Sequence, residues 1–216
     1  MAKKKETTKT RLSRDRILQV AIQFADANGI GKLNMRSLAK ELGSPVMSLY
    51  THLLNKDELL DGMVDSVADE IFVPIQDQPW REAIAEIAAS AFKTFYRHPW
   101  VIGLWNTAGS PAKMAHQESI LRVFREAGFS VKLACRGYHA ITMHTTGFMM
   151  QALDFPRDAK SMKAAASAFL SEADPKMIPY FIEHVKYHQD HPEPDGEFEF
   201  VLDMILNGLE KLLEES

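Results

Sequence analysis

The side chains best suited to chemistry follow a tight turn between two short helical patterns. Hydrophobic spacing predicts helices at Met35–Leu42 and Val46–Leu53, joined by Gly43-Ser44-Pro45. Gly43 permits a positive φ, so the chain can turn sharply there, while Ser44 is expected to cap the next helix and Pro45 to open it. Two short helices joined this tightly predict a helix-turn-helix, whose second helix places its N-terminal residues on base edges in the major groove of DNA.

The side chains around this turn suit two kinds of contact with DNA. Val46 or Met47 could touch a thymine methyl group, and the Tyr50 hydroxyl could bind a phosphate. Arg36 could reach a base edge or a phosphate. Lys56 and the free N–H groups at the start of the following helix could hold a backbone phosphate. The candidate DNA-binding residues are Arg36, Pro45, Val46, Met47, Ser48, Tyr50, Thr51 and Lys56.

A helical hairpin that merely packs is the alternative to a DNA-reading motif. It would leave Val46 and Met47 as exposed apolar residues without a role, whereas the leucines of both helices are expected to point inward in either case. These are Leu38, Leu42, Leu49 and Leu53. Charge favours DNA, since residues 1–60 carry eleven Lys and Arg against six Asp and Glu, a net of +5, and the remainder has a net of −9. The basic start could also be only a solvated tail.

Motifs for other chemistry are absent or incomplete in the sequence. There is no nucleophile elbow, zinc-protease motif or paired cysteine, and we expect no catalytic residue, metal or cofactor. His184 and His188 are four residues apart, a spacing that can hold a metal, but solvent-exposed histidines are the expected interpretation. His139 and His144 are expected to lie in a core or pocket wall, and Cys135 to be a small buried residue.

Length and composition describe an ordinary globular protein. The chain has 216 residues, 46% of them hydrophobic, a net charge of −4 and a single cysteine, which excludes a disulfide framework within one chain and fits a reducing cytoplasm. The charged start has no apolar region of a secretory signal. The longest uncharged run, Gly137 to Leu153, is too short and too polar for a membrane span, so we expect no membrane partner.

Almost every periodic stretch has helical spacing, which predicts an all-α fold of about nine helices without a sheet. Helix starts are expected after Ser13, Asn55 and Ser130 and at Ser110-Pro111 and Asp174-Pro175, and helix ends at Gly29, Gly43 and Gly128. We expect a flexible basic tail at 1–12, a helix-turn-helix domain of three helices at 13–60, and a helical ligand-binding and dimerisation domain at 61–216. Residues 73–79 form the candidate junction, and a loop is expected at 189–197.

The residues around the turn resemble the DNA-binding domain of the TetR family of transcriptional repressors. The resemblance is carried by Leu38-Ala39-Lys40-Glu41-Leu42-Gly43, by Leu49-Tyr50-Thr51-His52-Leu53 and by Asn55-Lys56-Asp57-Glu58-Leu59-Leu60, and it runs from Ile17 to Leu60. The rear half is more loosely similar to the regulatory domain of the tetracycline repressors, at Ala127-Gly128-Phe129-Ser130 and Gly208-Leu209-Glu210-Lys211. The resemblance implies that Arg36, Ser48, Tyr50, Thr51 and Lys56 contact DNA.

The resemblance also implies a dimer and a ligand-binding core. In the family the last two helices of the core form a four-helix bundle across a two-fold axis. Three drug-contact positions of the tetracycline repressors match Trp105, Ile120 and Gln151 here, and Trp105 stands where those proteins use a histidine to bind magnesium. The resemblance therefore implies a repressor whose ligand is apolar or aromatic and binds without magnesium.

Aromatic and methionine residues in the rear half could form an adaptable apolar pocket or simply a core. With the resemblance, the pocket is favoured. The candidate ligand-binding residues are Phe92, Tyr96, Trp105, Ile120, Tyr138, His139, Met143, His144, Phe148 and Gln151.

The function that these patterns favour is a homodimeric, ligand-released repressor that binds a palindromic operator in double-stranded DNA. The last helix supports the dimer, because its leucines and isoleucine cover more than one face, of which one can serve a partner. A helical enzyme acting on a small apolar substrate and a protein-binding adaptor are the alternatives. The enzyme lacks a convergent set of acid, base or nucleophile, and a salt-dependent gel shift on duplex DNA separates the repressor from both.

Overall fold

The computed structural model describes residues 12–75, 77–105, 109–153, 158–191 and 196–215, and within these ranges the chain is all-helical. The prediction of an all-α fold is confirmed, but eleven α-helices replace the nine expected. An element as short as the five-residue α6 holds too little of a helical period to be recognised in sequence. The helices are α1 (Arg14–Asn28), α2 (Met35–Glu41), α3 (Val46–Leu49), α4 (Lys56–Ala68), α5 (Trp80–Arg97), α6 (Val101–Trp105), α7 (Pro111–Glu126), α8 (Val131–Leu153), α9 (Ala159–Glu172), α10 (Pro179–Asp190) and α11 (Glu197–Glu214), with a 3₁₀ turn at Ile30–Lys32.

Side-chain caps explain where most of these helices begin. Ser13 accepts a hydrogen bond from the Arg16 N–H at 3.3 Å, as predicted, and Ser130 accepts one from the Leu133 N–H at 3.2 Å. The helix ends at Gly29, Gly43 and Gly128 are confirmed, with φ of 83°, 60° and 93°. Side-chain caps at the helix starts and positive-φ glycines at the helix ends therefore set these boundaries.

Two predicted helix starts are wrong in detail. Ser44 does not cap α3, because its hydroxyl donates to the Leu42 carbonyl, and Pro45 occupies the N-cap position instead of the first helical one. Asp174-Pro175 does not open a helix, since the Asp174 carboxylate accepts from the Lys176 N–H in a turn and α10 begins only at Pro179. A short polar side chain before proline stabilises a turn as readily as a helix start.

The described part of the chain forms two compact units that interleave in sequence. One unit contains the described residues up to Ile71 together with Arg97–His116, and the other contains Phe72–Tyr96 and the residues from Gln117 onward. The first holds α1–α4, α6 and the start of α7. No helix among the described residues is long and apolar enough to cross a membrane.

Carboxylates of the first unit hold the returning segment 97–116 against the N-terminal helices. Asp65 of α4 accepts from the Ser110 hydroxyl at 2.8 Å and from the Ala112 N–H at 2.7 Å, at the first turn of α7. Asp26 of α1 accepts from the Trp100 indole N–H at 2.7 Å and lies 2.9 Å from the His98 ring. Because these bonds are directional, they fix the register of the segment as well as its position.

The core of the second unit lies between α5, α7, α8 and α11. The longest helix, α8, packs against α11 and buries one face, with Ala134, Ile141 and Met149 at its centre. Cys135 lies outside this face and is exposed, so the prediction of a buried cysteine is wrong. Successive residues of a helix are rotated by about 100°, so Cys135 points away from the core although Ala134 before it is buried.

The α9–α10 pair is far less buried than the rest of the second unit. Among the described side chains, α9 buries none and α10 buries only Ile182. The two helices contact each other through Phe169 and Phe181, whose rings meet edge to face at 5.4 Å.

Gly137 marks the closest approach of α8 to its neighbours. A Cβ atom there would lie 2.9 Å from Cζ of Phe124, which is fully buried. We expect Gly137→Ala to lower the free energy of unfolding by about 1–2 kcal/mol, because overpacking outweighs the gain in helix propensity. Urea titration measures this change.

The matched control for this substitution is Gly103→Ala in α6, where no atom lies within 4 Å of the added Cβ. It should leave the free energy of unfolding unchanged or raise it slightly. A Gly137→Ala variant as stable as the wild type would show that α8 and α7 are packed less closely than described.

Candidate nucleic-acid interface and ligand site

The helix-turn-helix has a buried leucine interior, as predicted. Leu38 of α2 and Leu49 of α3 are fully buried, Leu53 is buried just after α3, and Leu42 is half-buried. α3 is shorter than expected and ends at Leu49, because the following residues form turns with hydrogen bonds from the His52 and Leu53 N–H groups to the Leu49 carbonyl. The predicted range for α2 is one residue too long.

The candidate DNA-binding residues lie mainly on the solvent side of this motif. Met47 is 74% exposed and Tyr50 43% exposed. Val46, expected to be exposed, is half-buried, as is Ser48, while the other candidates are exposed. Those are Arg36, Pro45, Thr51 and Lys56.

The first turn of α4 is fixed by a reciprocal cap. Asn55 accepts from the Glu58 N–H at 2.8 Å, and the Glu58 carboxylate accepts from the Leu54 N–H at 2.6 Å. This arrangement places Lys56 at the first helical position, where its ammonium group and the helix N-terminus both favour an anion. Leu54, which the sequence reasoning missed, is 83% exposed beside this turn. Its position directly after the inward-facing Leu53 is the sequence signal from which this exposure could have been predicted.

An aromatic stack lies in the second unit and contains three of the candidate ligand-binding residues. Phe198 of α11 is stacked between Phe92 and His144, with ring centroids 4.6 Å from each and interplanar angles of 15° and 19°. Phe148 meets Phe92, His144 and Phe198 edge to face or nearly so, at 5.6, 5.9 and 5.5 Å. Phe198, which is not among the candidates from sequence, also belongs to the buried core of this unit.

The remaining candidates of the second unit lie in different surroundings. Ile120 is buried in the core beside Phe124, and Tyr138 is half-buried against the same cluster. His139 is exposed on α8, so its prediction as a core or pocket-wall residue is wrong for this chain. Met143, which is 69% exposed, and Gln151 also face outward, because they share the α8 face opposite the core.

Tyr96 and Trp105 belong to different units. Tyr96 is partly exposed, 6.2 Å from Phe92 between ring centroids. Trp105 belongs to the first unit, where it is buried and meets the His116 ring edge to face at 6.1 Å. Lys113 donates to the Trp105 carbonyl at 2.8 Å, which places a cation at the C-terminal end of α6.

Comparison with known proteins places this geometry in a family. The family model described as "Tetracyclin repressor-like, C-terminal domain" matches residues 73–213. The chain belongs to the TetR family of transcriptional regulators.

Individual TetR relatives match over nearly the whole chain. The HTH-type transcriptional repressor DrrR1 of Streptomyces coeruleorubidus is 30% identical, over 95% of this chain and 80% of its own length. The class A tetracycline repressor from transposon 1721 of Escherichia coli is 29% identical, over 94% and 92%. The Streptomyces coelicolor TetR protein ActR in complex with actinorhodin is 27% identical, with a TM-score of 0.74 over 94% of this chain and 99% of that one. The first two of these relatives are named as repressors.

The TetR fold of this chain shows no metal centre in the ranges that the structure describes. No group of three or more His, Cys, Asp or Glu side chains there could hold a metal ion. His184 and His188 stand next to each other on α10, with ring centroids 4.5 Å apart. His184 is exposed as predicted, whereas His188 is half-buried, so the prediction is wrong for the second histidine.

His116 makes the stability of this TetR protein depend on pH. Burial lowers its pKa to about 4, against about 6.5 in an unfolded chain. Between these values the unfolded state binds more protons, so the free energy of unfolding falls as the pH falls. We expect the difference between wild type and His116→Met to change by about 2 kcal/mol between pH 7 and pH 5.

Urea titrations at both pH values measure this dependence, and His184→Met, which replaces an exposed histidine, is the control. The control should keep the wild-type pH dependence. An equal pH dependence in wild type and His116→Met would contradict the buried neutral state of His116.

Proposed function

We propose that this TetR regulator binds a palindromic operator as a homodimer and is released from it by a small apolar or aromatic ligand. The carrying observation is the division of the helix-turn-helix into a buried leucine interior and an outer face that exposes Met47 and Tyr50. Both side chains belong to the second helix of the motif or to the turn that ends it, where they are accessible to bases or phosphates in the major groove.

The outer face combines groups for two kinds of readout. Met47 and the half-buried Val46 offer methyl and methylene groups to thymine methyls in the major groove. Lys56 and the start of α4 offer a cation and N–H groups to a phosphate, a contact that positions the protein without reading sequence. The exposed Arg36 and Tyr50 can serve either purpose. The two roles predict different responses to mutation.

DNA binding is tested first by selecting genomic fragments with the purified protein and then by titrating the selected fragment at several salt concentrations. Lys56→Ala should weaken binding to all sequences alike and lower the salt slope by about one. Met47→Ala should alter base preference and keep the salt slope.

Lys160→Ala, which removes an exposed lysine of α9, is the charge-matched control and should change neither quantity. A change of base preference in Lys56→Ala with an unchanged salt slope would reverse the assigned roles. Failure of the protein to select any fragment would contradict the DNA-binding function itself.

The homodimer is supported by apolar stripes that α8 and α11 leave exposed. On α11 these include Val201 and Met204, with Gly208 and Leu212 further along the same face, and on α8 they include Met143 and Met150. A Cβ added at Gly147 or Gly208 would meet no atom within 4 Å, so both helices could approach a partner closely. Paired with a second copy, the stripes would form an isologous four-helix interface.

Met204→Asp should convert the dimer into a monomer at micromolar concentration, because it places a charge in the proposed apolar interface. Light scattering measures the mass. Met114→Asp changes a methionine that is equally exposed, 60% against 59%, on α7 and should remain dimeric. A wild-type protein that is monomeric at this concentration would defeat the proposal.

Ligand release requires that the ligand prefer the conformation in which the two recognition helices are misplaced for DNA. Changing a mostly bound into a mostly free population takes a preference of roughly 5 kcal/mol, and ligand and operator must then weaken each other by the same factor. The related ActR binds actinorhodin. The aromatic stack and Trp105 support a ligand of apolar or aromatic character here as well.

A further inference from the structure

The aromatic stack of the second unit is filled by a side chain of the protein itself. Phe198 is 2% exposed and separates Phe92 from His144, with one ring spacing of 4.6 Å on each side. Both outer rings are nearly parallel to the Phe198 ring, at interplanar angles of 15° and 19°. If Phe198 left, the remaining gap would have the thickness of one planar aromatic ring.

The partners of Phe198 differ from it in accessibility. Phe92, His144 and Phe148 are only half-buried, whereas Phe198 is enclosed. Phe148 lies roughly perpendicular to the stack and closes one side. A planar molecule taking the middle position would thus find two faces for stacking and one aromatic edge, the arrangements that aromatic rings prefer.

Phe198 stands in the first turn of α11, at a helix start without a side-chain cap. The N-cap residue is Gly196, at φ 75°, and it has no side chain to accept from the first N–H groups. No side-chain hydrogen bond at the N-cap therefore has to break when the first turn moves. Rotation of this turn would carry Phe198 out of the stack.

His144 connects the same turn to a polar group. Its Nε2 lies 2.9 Å from the Phe198 carbonyl oxygen, and since a carbonyl only accepts, Nε2 carries the hydrogen. When the turn moves, this N–H loses its acceptor and can donate to an oxygen on a bound molecule. The best replacement partner is a carbonyl or hydroxyl oxygen at the edge of a flat ring system.

We propose that the space between Phe92 and His144 is a binding slot for a planar polycyclic aromatic compound with an edge oxygen, and that Phe198 occupies it in the absence of ligand. This inference rests on the proposed function, whose ligand class it narrows. A ring system of three fused rings buries more apolar area than one phenyl ring, so it can displace Phe198. Displacement moves the start of α11, the helix that carries the proposed dimer stripe.

The test measures direct binding of 1,8-dihydroxyanthraquinone to the full-length protein by tryptophan fluorescence, without DNA and in the presence of EDTA. 1-Adamantanol, which is compact, apolar and not planar, is the comparison compound. Wild-type protein should bind the anthraquinone more tightly than adamantanol. Anthraquinone binding that occurs only when EDTA is left out would overturn the metal-free slot.

Substitutions distinguish a side chain that occupies the slot in the absence of ligand from one that forms its wall. Phe92→Leu removes a stacking face and should weaken anthraquinone binding by about two- to tenfold. Phe198→Leu removes the competing ring and should tighten binding by a similar factor. If Phe198→Leu weakens binding as Phe92→Leu does, Phe198 is a wall and the proposal fails.

Phe129→Leu is the control for general loosening of the core, because Phe129 is fully buried in the same unit but outside the stack. It should leave the affinity unchanged, and equal tightening in Phe129→Leu and Phe198→Leu would also overturn the slot. Thermal unfolding checks that each variant folds, and Phe198→Met replaces Phe198→Leu if the latter does not.

A gel shift with the selected operator fragment then distinguishes this inference from the proposed function. Binding of the anthraquinone with the expected variant pattern but without operator release supports the slot and contradicts ligand release. Operator release by adamantanol in a protein that does not bind the anthraquinone supports a ligand-released repressor and overturns the slot.

Discussion

The carboxylates of α1 and α4 make one folded unit out of two separate stretches of chain. Asp65 accepts two hydrogen bonds at the start of α7, Asp61 accepts one from the Gly109 N–H, and Asp26 holds Trp100 and His98. Apolar helix faces could pack in several registers, whereas these directional bonds admit one. An ion pair of 2.9 Å between Arg97 and Glu70, just after α4, adds a further polar contact at the start of the segment.

This constraint places residues with two different proposed roles on the same unit. The helix-turn-helix and Trp105, a candidate ligand-binding residue, both belong to the unit that the carboxylates hold together. A displacement of α6 would therefore reach α4 through Asp65 and the start of α7, and α4 follows directly after the recognition helix. The aromatic stack belongs to the other unit. Its central residue, Phe198, stands at the start of α11, the helix that carries the proposed dimer surface.

Much of the fold could be predicted from sequence because local interactions set it. The limits of α1 follow from Ser13 and Gly29, and the inward leucines of α2 and α3 follow from helical periodicity. The failures arise where a longer-range partner or a competing turn decides. Asp174 forms a turn instead of a cap, Cys135 is turned away from the core, and the segment 97–116 returns to α4 through contacts that no sequence pattern announces.

The candidate sites were predictable to different degrees for the same reason. DNA-reading side chains lie close together in sequence, so spacing alone groups Met47, Tyr50 and Lys56. The aromatic stack joins α5, α8 and α11, and periodicity could show only that each helix carries aromatic residues. Phe198 is a buried core residue, and no sequence pattern shows that its ring is also the centre of the stack.

The sparse burial of α9 and α10 has a consequence for how the molecule opens. A helix of 12 to 14 residues is only marginally stable in water without tertiary packing, and this pair has Ile182 as its one buried side chain among those described. Its backbone amides should thus exchange with solvent through local openings that leave the core of α5, α7, α8 and α11 intact. We therefore expect the pair to open as a separate cooperative unit of the second half of the chain, ahead of global unfolding.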